Sequence, residues 1–298
     1  MQNVSECSSL IEFDTLPPPR QLVINDVEAP QSVYGLRNTL SLCSSEGNGS
    51  VMIRIRKHLR VRDFRHSQVV LADVQTSSVG SCHIGQQVVV KLFDPMFVSV
   101  DELPGDDAPQ KYRQIVAYRF HEREVAAYST LSSLQGIFIP IFYGKFDCHF
   151  PSRPTESDQT VKVILMEHID GWPLSWYSPD EITESQGQWI MRQTEAIVRQ
   201  IHSRGVIHKD LALRNFLVTK LGRVVLVDFE GSEILNEKSR CSHELRKEDD
   251  FIVLRCEFED FGLIPRSNSR RPPTSLLFDP CWHVTVAKEN ENKKSRQT

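Results

Sequence analysis

Residues 206–234 read VIHKDLALRNFLVTKLGRVVLVDFEGSEI, and the fold turns on how this stretch is parsed. A short apolar lead, Val206-Ile207, enters the polar segment His208 to Asn215. An apolar run Phe216 to Val218, a Lys-Leu-Gly turn at 220–222 and a second apolar run Val224 to Val227 follow, ending on Asp228. Two β-type runs joined by a glycine-bearing turn predict a hairpin. Such a hairpin brings Asp210, Asn215 and Asp228 to one end. A carboxylate and an amide oxygen converging there suit Mg²⁺, a hard cation that retains waters and takes few protein oxygens beside substrate phosphates. Asp210 is left to orient or deprotonate a hydroxyl nucleophile.

Upstream of this stretch, Ile190, Met191, Thr194, Ile197, Val198 and Ile201 fall on one stripe of a helix from about 188 to 203, with Gly205 as its stop. Ser178-Pro179-Asp180-Glu181 has the spacing of a capping box and predicts an earlier helical start. Nearer the N-terminus, VMIRIRKHLRV, SQVVLADVQTS and QQVVVKLFD read as three successive strands between residues 51 and 94, the last carrying Lys91 near its end. A polar, Pro/Gly/Asp-bearing insert at 101–114 reads as a loop. In the segment 120–136, Phe120, Glu124, Ala127, Tyr128, Leu131 and Leu134 recur at helical spacing, which puts Glu124 on the inward face. Strands at 138–146 and 161–169 complete a set of five.

The chain of 298 residues is 40% hydrophobic and 25% charged, which excludes fibrous and wholly disordered classes. A net charge of −4 gives no basic field for broad nucleic-acid binding. Seven cysteines without a C-x-x-C pair read as reduced thiols. No apolar run is long enough to span a membrane, and residues 1–20 lack the features of a secretory signal. The expected location is intracellular, in the cytoplasm or nucleus. Residues 1–50 read as a poorly ordered or docked arm whose triple proline at 17–19 is a candidate for partner binding, and residues 265–298 as a polar, basic tail.

In this order the motifs resemble the protein-kinase-like superfamily. His208, Lys209, Asp210 and Asn215 match its His-Arg-Asp-x4-Asn catalytic loop, and Asp228-Phe229-Glu230 its Asp-Phe-Gly. Lys91 in VVVK is similar to its strand lysine, and Glu124 to that lysine's helical partner. ILMEHIDGWPL resembles the hinge, with Met166 as gatekeeper and the Glu167 and Ile169 backbones facing adenine. The resemblance covers about residues 51–264 and implies an α+β, two-lobed fold. Its N-lobe and hinge (51–169) would hold a five-stranded antiparallel sheet with one helix, and a reduced, mainly helical C-lobe would occupy 170–264. It further implies ATP and Mg²⁺ as cofactors, with Lys91 on the phosphates, Asn215 and Asp228 on the metal, and Asp210 taking the proton of a hydroxyl acceptor. His208 would brace the Asp-Phe backbone.

Three departures bear on this reading. The turn HLRVRDFRHSQ between the first two strands contains no glycine, so Arg60, Arg62, Arg65 or His66 are the candidates to meet phosphates with side chains. Glu230 stands where the motif has glycine, and Lys209 where it has arginine. Only about 36 residues lie between Asp228 and Pro265, with Asp249 or Asp250 as candidates to brace the catalytic loop. This economy resembles atypical, minimal kinase-like proteins, including fungal protein-kinase-like proteins. The expected activity is phosphotransfer to a hydroxyl on a protein; the alternatives are a pseudokinase binding module and a small-molecule kinase of the aminoglycoside/choline-kinase-like type.

Overall fold

A computed structural model describes residues 39–47, 49–60, 66–98, 110–150, 159–235 and 240–266, together with Leu16, Pro18 and Pro19. The first half is a strand-rich lobe. β1 (Thr39–Ser44), β2 (Ser50–Arg60), β3 (Gln68–Ser77), β4 (Gln87–Phe93), β5 (Phe142–Phe150) and β6 (Gln159–Glu167) pair antiparallel throughout, in the order β1-β2-β3-β4-β6-β5. β1 also pairs with β5, Leu42 opposite Cys148 and Ser44 opposite Phe146, so the sheet closes into a barrel.

The expected five-stranded sheet is therefore corrected to six strands. The additional strand, TLSLCS, lies inside the stretch read as an arm. Its apolar residues are only Leu40 and Leu42, both facing inward between exposed Thr39, Ser41 and Cys43. After it, at residues 45–47 and Gly49, the chain turns back so that β1 lies on β2. From elsewhere in the arm, Leu16 and Pro19 are buried. The rest of residues 1–38 lies outside the described residues, as do the tail from 267 and Arg62 and Arg65.

Strand period decides which way Lys91 points. Val88, Val90 and Leu92 of β4 fill the barrel with Val161, Val163 and Leu165 of β6. Val89, Lys91 and Phe93 turn outward, beside Ile164 and Met166, toward a second core. α1 (Gln110–Thr130) covers that outer face with Ala117, Phe120, Ala127 and Tyr128. The helix begins at Gln110 rather than near Phe120, because residues 110–114, with Lys111 and Gln114 exposed, form its first turn instead of ending the loop.

The hinge then leads to β7 (Gly171–Pro173), a 3₁₀ turn at 179–181, and α2 (Glu184–Ser203). The turn carries the predicted capping box, Ser178 N–H donating to Glu181 Oε2 at 2.8 Å. A second cap starts α2 four residues before the predicted start: Thr183 accepts from Gln186 N–H and donates its own N–H to the Gln186 side chain. β8 (Val206–Ile207) pairs with β11 (Glu233–Ile234), while β9 (Phe216–Thr219) and β10 (Val224–Leu226) form the predicted hairpin, with β7 on its outer edge. A Cβ at Gly171 would lie 2.8 Å from the Val218 carbonyl oxygen, so the hinge reaches β9 only through glycine. α3 (Arg240–Asp260) closes the described C-terminal part, packing Leu254 and Phe258 into the second core. Among the described residues no helix is long and apolar enough to cross a membrane.

Candidate active site

The site lies where β4, α1, the β9–β10 hairpin and the turn after β10 meet. Asp210, from the segment after β8, is the anchor of the loop. Its carboxylate accepts from Arg214 Nη2 at 2.6 and 2.8 Å, and from Asn215 Nδ2 at 2.9 Å. Asn215 Nδ2 also donates to the Asp210 carbonyl at 2.8 Å. With that amide nitrogen spent on Asp210, Oδ1 is the atom Asn215 offers to a cation. The Asp210 side chain remains 37% exposed, enough for a hydroxyl to reach it.

His208 couples this loop to Asp228. It is fully buried; its Nδ1 accepts from Asp210 N–H at 3.3 Å, so Nε2 carries the proton and donates to the Val227 carbonyl at 3.0 Å. Burial lowers its pKa, which keeps the ring in that neutral tautomer. Val227 N–H in turn donates to the Asn215 carbonyl at 2.9 Å. The two bonds hold the strand end so that Asp228 takes a left-handed conformation, φ 72°, an uncommon one for a side-chain-bearing residue. Phe229 then packs beneath α1, edge-on to Tyr128 at 5.4 Å and to His208 at 4.8 Å between ring centroids.

Lys91 stands at the centre. Its ammonium donates to Glu124 Oε2 and Asp228 Oδ1, each at 2.5 Å, and lies 3.1 Å from Glu230 Oε2. Three donors meet three carboxylates. The Glu124, Asp228 and Glu230 oxygens lie within 4.8 Å of one another, but the cation they surround is this ammonium. Burial opposes the charge on Lys91, yet the carboxylates, Asp228 foremost, raise its pKa and keep it protonated. Burial pushes the Glu124 carboxyl up to about 7 in spite of Lys91, and its Oε1 is buried without a hydrogen-bond partner among the described residues. Asp228 goes the other way: burial is outweighed by Lys91 and Arg60, which hold its carboxyl well below the usual range.

Arg60, at the end of β2, donates to Asp228 Oδ2 at 2.7 Å and to Ser67 Oγ at 2.9 Å. The Ser67 hydroxyl in turn donates to Glu230 Oε2 at 2.7 Å. His66 Nδ1 lies 3.5 Å from Glu230, and its ring stacks on Phe120 with centroids 3.6 Å apart. The part of Glu230 was not legible in sequence beyond its standing at a glycine's place in the motif.

At the hinge, Met166 is buried and receives the Tyr128 hydroxyl on its sulfur at 3.7 Å. Glu167 is clamped to the loop before β5, its N–H on the Ile141 carbonyl at 2.8 Å and its Oε2 accepting from Ile141 N–H at 3.0 Å. The Ile169 carbonyl accepts from Gly171 N–H at 2.9 Å. The brace expected of Asp249 or Asp250 is differently built. Asp250 bonds His202 of α2 at 2.8 Å, and Glu257 Oε2 accepts from Leu213 N–H, in the loop after Asp210, at 3.3 Å. The Asp249 side chain lies outside the described residues.

Comparison with known proteins finds kinases. The Lipopolysaccharide kinase (Kdo/WaaP) family matches residues 155–265, from β6 through α3. Protein kinase kin1 of Schizosaccharomyces pombe is 29% identical over 79 residues, 26% of this chain and 9% of its own. Serine/threonine-protein kinase KIC1 of Saccharomyces cerevisiae is 38% identical over 77 residues, 26% of this chain and 7% of its own. The chain thus spans less than a tenth of the length of these relatives. The kinase domain of a Toxoplasma gondii specific rhoptry antigen superposes with a TM-score of 0.50 over 90% of this chain and 86% of that one, at 11% identity. The chain is thus similar to proteins of the protein-kinase-like superfamily in the matched segments, and to a kinase domain in its fold.

Proposed function

We propose that the chain is an ATP- and Mg²⁺-dependent phosphotransferase that moves the γ-phosphoryl group to a hydroxyl acceptor. The observation that carries this reading is the single connected network of Lys91, Glu124, Asp228, His208, Asn215 and Asp210, each in the structural context its role needs. Asn215 Oδ1 and Asp228 are hard oxygen donors of the kind Mg²⁺ takes beside phosphates, and the metal would neutralise charge on the transferring group. Lys91, steadied by Glu124, binds the α and β phosphates. The Met166–Ile169 segment, held by the Glu167 clamp, receives adenine. Arg214 and Asn215 fix the Asp210 carboxylate so that it accepts the acceptor's proton in the transition state.

The acceptor we propose is a protein hydroxyl, as the kinase relatives' names support. The Kdo/WaaP match, named for lipopolysaccharide, supports a sugar or other small-molecule hydroxyl as the second choice. The reaction belongs inside the cell, where ATP is plentiful. A non-catalytic binding module is the competing reading, favoured by one observation: both Asp228 oxygens are already engaged, one by Lys91 and one by Arg60.

The deciding experiment is calorimetric titration with ATP, with and without Mg²⁺, followed by phosphoryl transfer assays on Asp210→Asn. We expect Mg²⁺-dependent binding, and in Asp210→Asn an unchanged nucleotide affinity with transfer lowered about 10²–10⁴-fold. Undiminished transfer in the variant would remove Asp210 from the mechanism, and wild type that binds nucleotide without transferring phosphate would favour the binding module.

A further inference from the structure

We propose that Arg60 joins Lys91 in binding the triphosphate at this site, replacing the backbone amides of a glycine loop, and that Glu230 is its resting counter-ion. The inference rests on the nucleotide reading above and deepens it. Where the chain passes from β2 to β3 there is no glycine between His58 and Gln68, so close approach of backbone N–H groups to a polyphosphate is denied along the turn. Among the cationic candidates there, His66 is committed to Phe120 by stacking and to Glu230 by charge. Among the described residues of that turn, Arg60 is the one whose guanidinium reaches the Asp228 carboxylate itself.

Its contacts form a closed ring. Arg60 bonds Asp228 at 2.7 Å and Ser67 at 2.9 Å; Ser67 bonds Glu230; Glu230 lies 3.1 Å from Lys91; and Lys91 returns to Asp228. Arg60 also lies 3.6 Å from Glu230, and its Nε is buried with no partner among the described residues. A guanidinium presents five donors in a planar fork suited to phosphate oxygens. In the ring that fork is only partly used, with one donor left buried and unpaired. Lys91 and Arg60 converge on the two oxygens of one carboxylate, so both cations lose their principal partner together once Asp228 is given to Mg²⁺. Phosphate oxygens are then the replacement, and charge-assisted bonds to them are among the stronger hydrogen bonds. Glu230 supplies what a glycine there cannot: a carboxylate tied through Ser67 to the first residue of β3's approach, which keeps Arg60 in the cleft between turnovers. The same carboxylate competes with phosphate for Arg60 and Lys91.

The test compares wild type, Arg60→Gln and Glu230→Gln by calorimetric titration with adenosine, Mg·ATP and inorganic tripolyphosphate, alongside thermal melts. Arg60→Gln should weaken Mg·ATP and tripolyphosphate about tenfold or more while leaving adenosine unchanged, the loss of one charge-assisted contact. Glu230→Gln should tighten both phosphate ligands several-fold. Wild type that binds neither adenosine nor Mg·ATP overturns the nucleotide reading and this inference together. Wild type that binds Mg·ATP, with Arg60→Gln equally tight, overturns the inference alone. If Arg60→Gln fails to melt cooperatively, Glu230→Gln decides: unchanged or weaker phosphate binding overturns the counter-ion role.

Discussion

Asp228 takes its left-handed backbone because His208 and Asn215 hold the residue before it, and the two cations it receives then balance a carboxylate taken out of water. One turn of α1 before Glu124 the opposite arrangement holds at His121. This ring is buried edge-on against Phe93, with centroids 5.3 Å apart, and its Nε2 has no partner among the described residues. Burial, assisted by Lys162, pushes its pKa from 6.5 down to about 4. Because the folded state refuses a proton that the unfolded chain accepts, His121's contribution is intact above pH 6.5 and is lost as pH falls toward 4. The loss is on the order of 2–3 kcal/mol. His121→Leu should remove it, so that in urea titrations the variant gains on wild type as pH drops from 7 to 4.5. A difference in stability constant across that range would show that the folded ring accepts the proton.

Among the elements, β1 is the one whose removal is most instructive. It pairs on both sides, with β2 and β5, and contributes Leu40 and Leu42 to the barrel interior. Deleting residues 1–45 should open the barrel, bare two strand edges and abolish the cooperative thermal melt, or shift it sharply downward with aggregation. A truncated chain that melts like the full one would mean the remaining strands suffice. This element also marks the limit of what the sequence makes legible. The β9–β10 hairpin and the α2 stripe follow from strong periodicity, because those stretches are apolar enough for the period to show, while the Lys91–Glu124 pairing follows from the resemblance to the kinase-like motifs. β1 has two inward residues among serines, threonine and cysteine, and its pattern is indistinguishable from a polar linker until its partners are known. The Arg60–Glu230 ring was illegible for a different reason: 170 positions separate the two residues, and no local pattern links them. Glu257 escaped in the same way, since a helical glutamate looks solvated until the loop it faces is in place.

At the scale of the whole molecule, the core outside the barrel joins the two lobes. Ile164 and Met166 from the barrel's outer face, Tyr128 of α1, Ile197 and Ile201 of α2, and Phe216 and Phe229 of the catalytic segment belong to a single buried cluster. The Phe138 carbonyl accepts from Leu226 N–H of β10 at 2.9 Å, and Arg223 reaches the Gly136 carbonyl at 2.8 Å. Scanning calorimetry should therefore record one transition, raised by Mg·ATP by about 2.7 kcal/mol of stability at one hundred times its Kd. Two resolved transitions would show that the lobes unfold separately. Closure of the barrel has a consequence for this unity. In an open sheet a one-residue slip is absorbed at a free margin, at the cost of a few frayed bonds. In a closed ring every strand is indexed by two neighbours, and a slip must travel the full circumference or not occur at all. Since a slip of one would turn Lys91 from the cleft into the barrel, the ring works as a detent: the direction of a single lysine is set by all six strands at once.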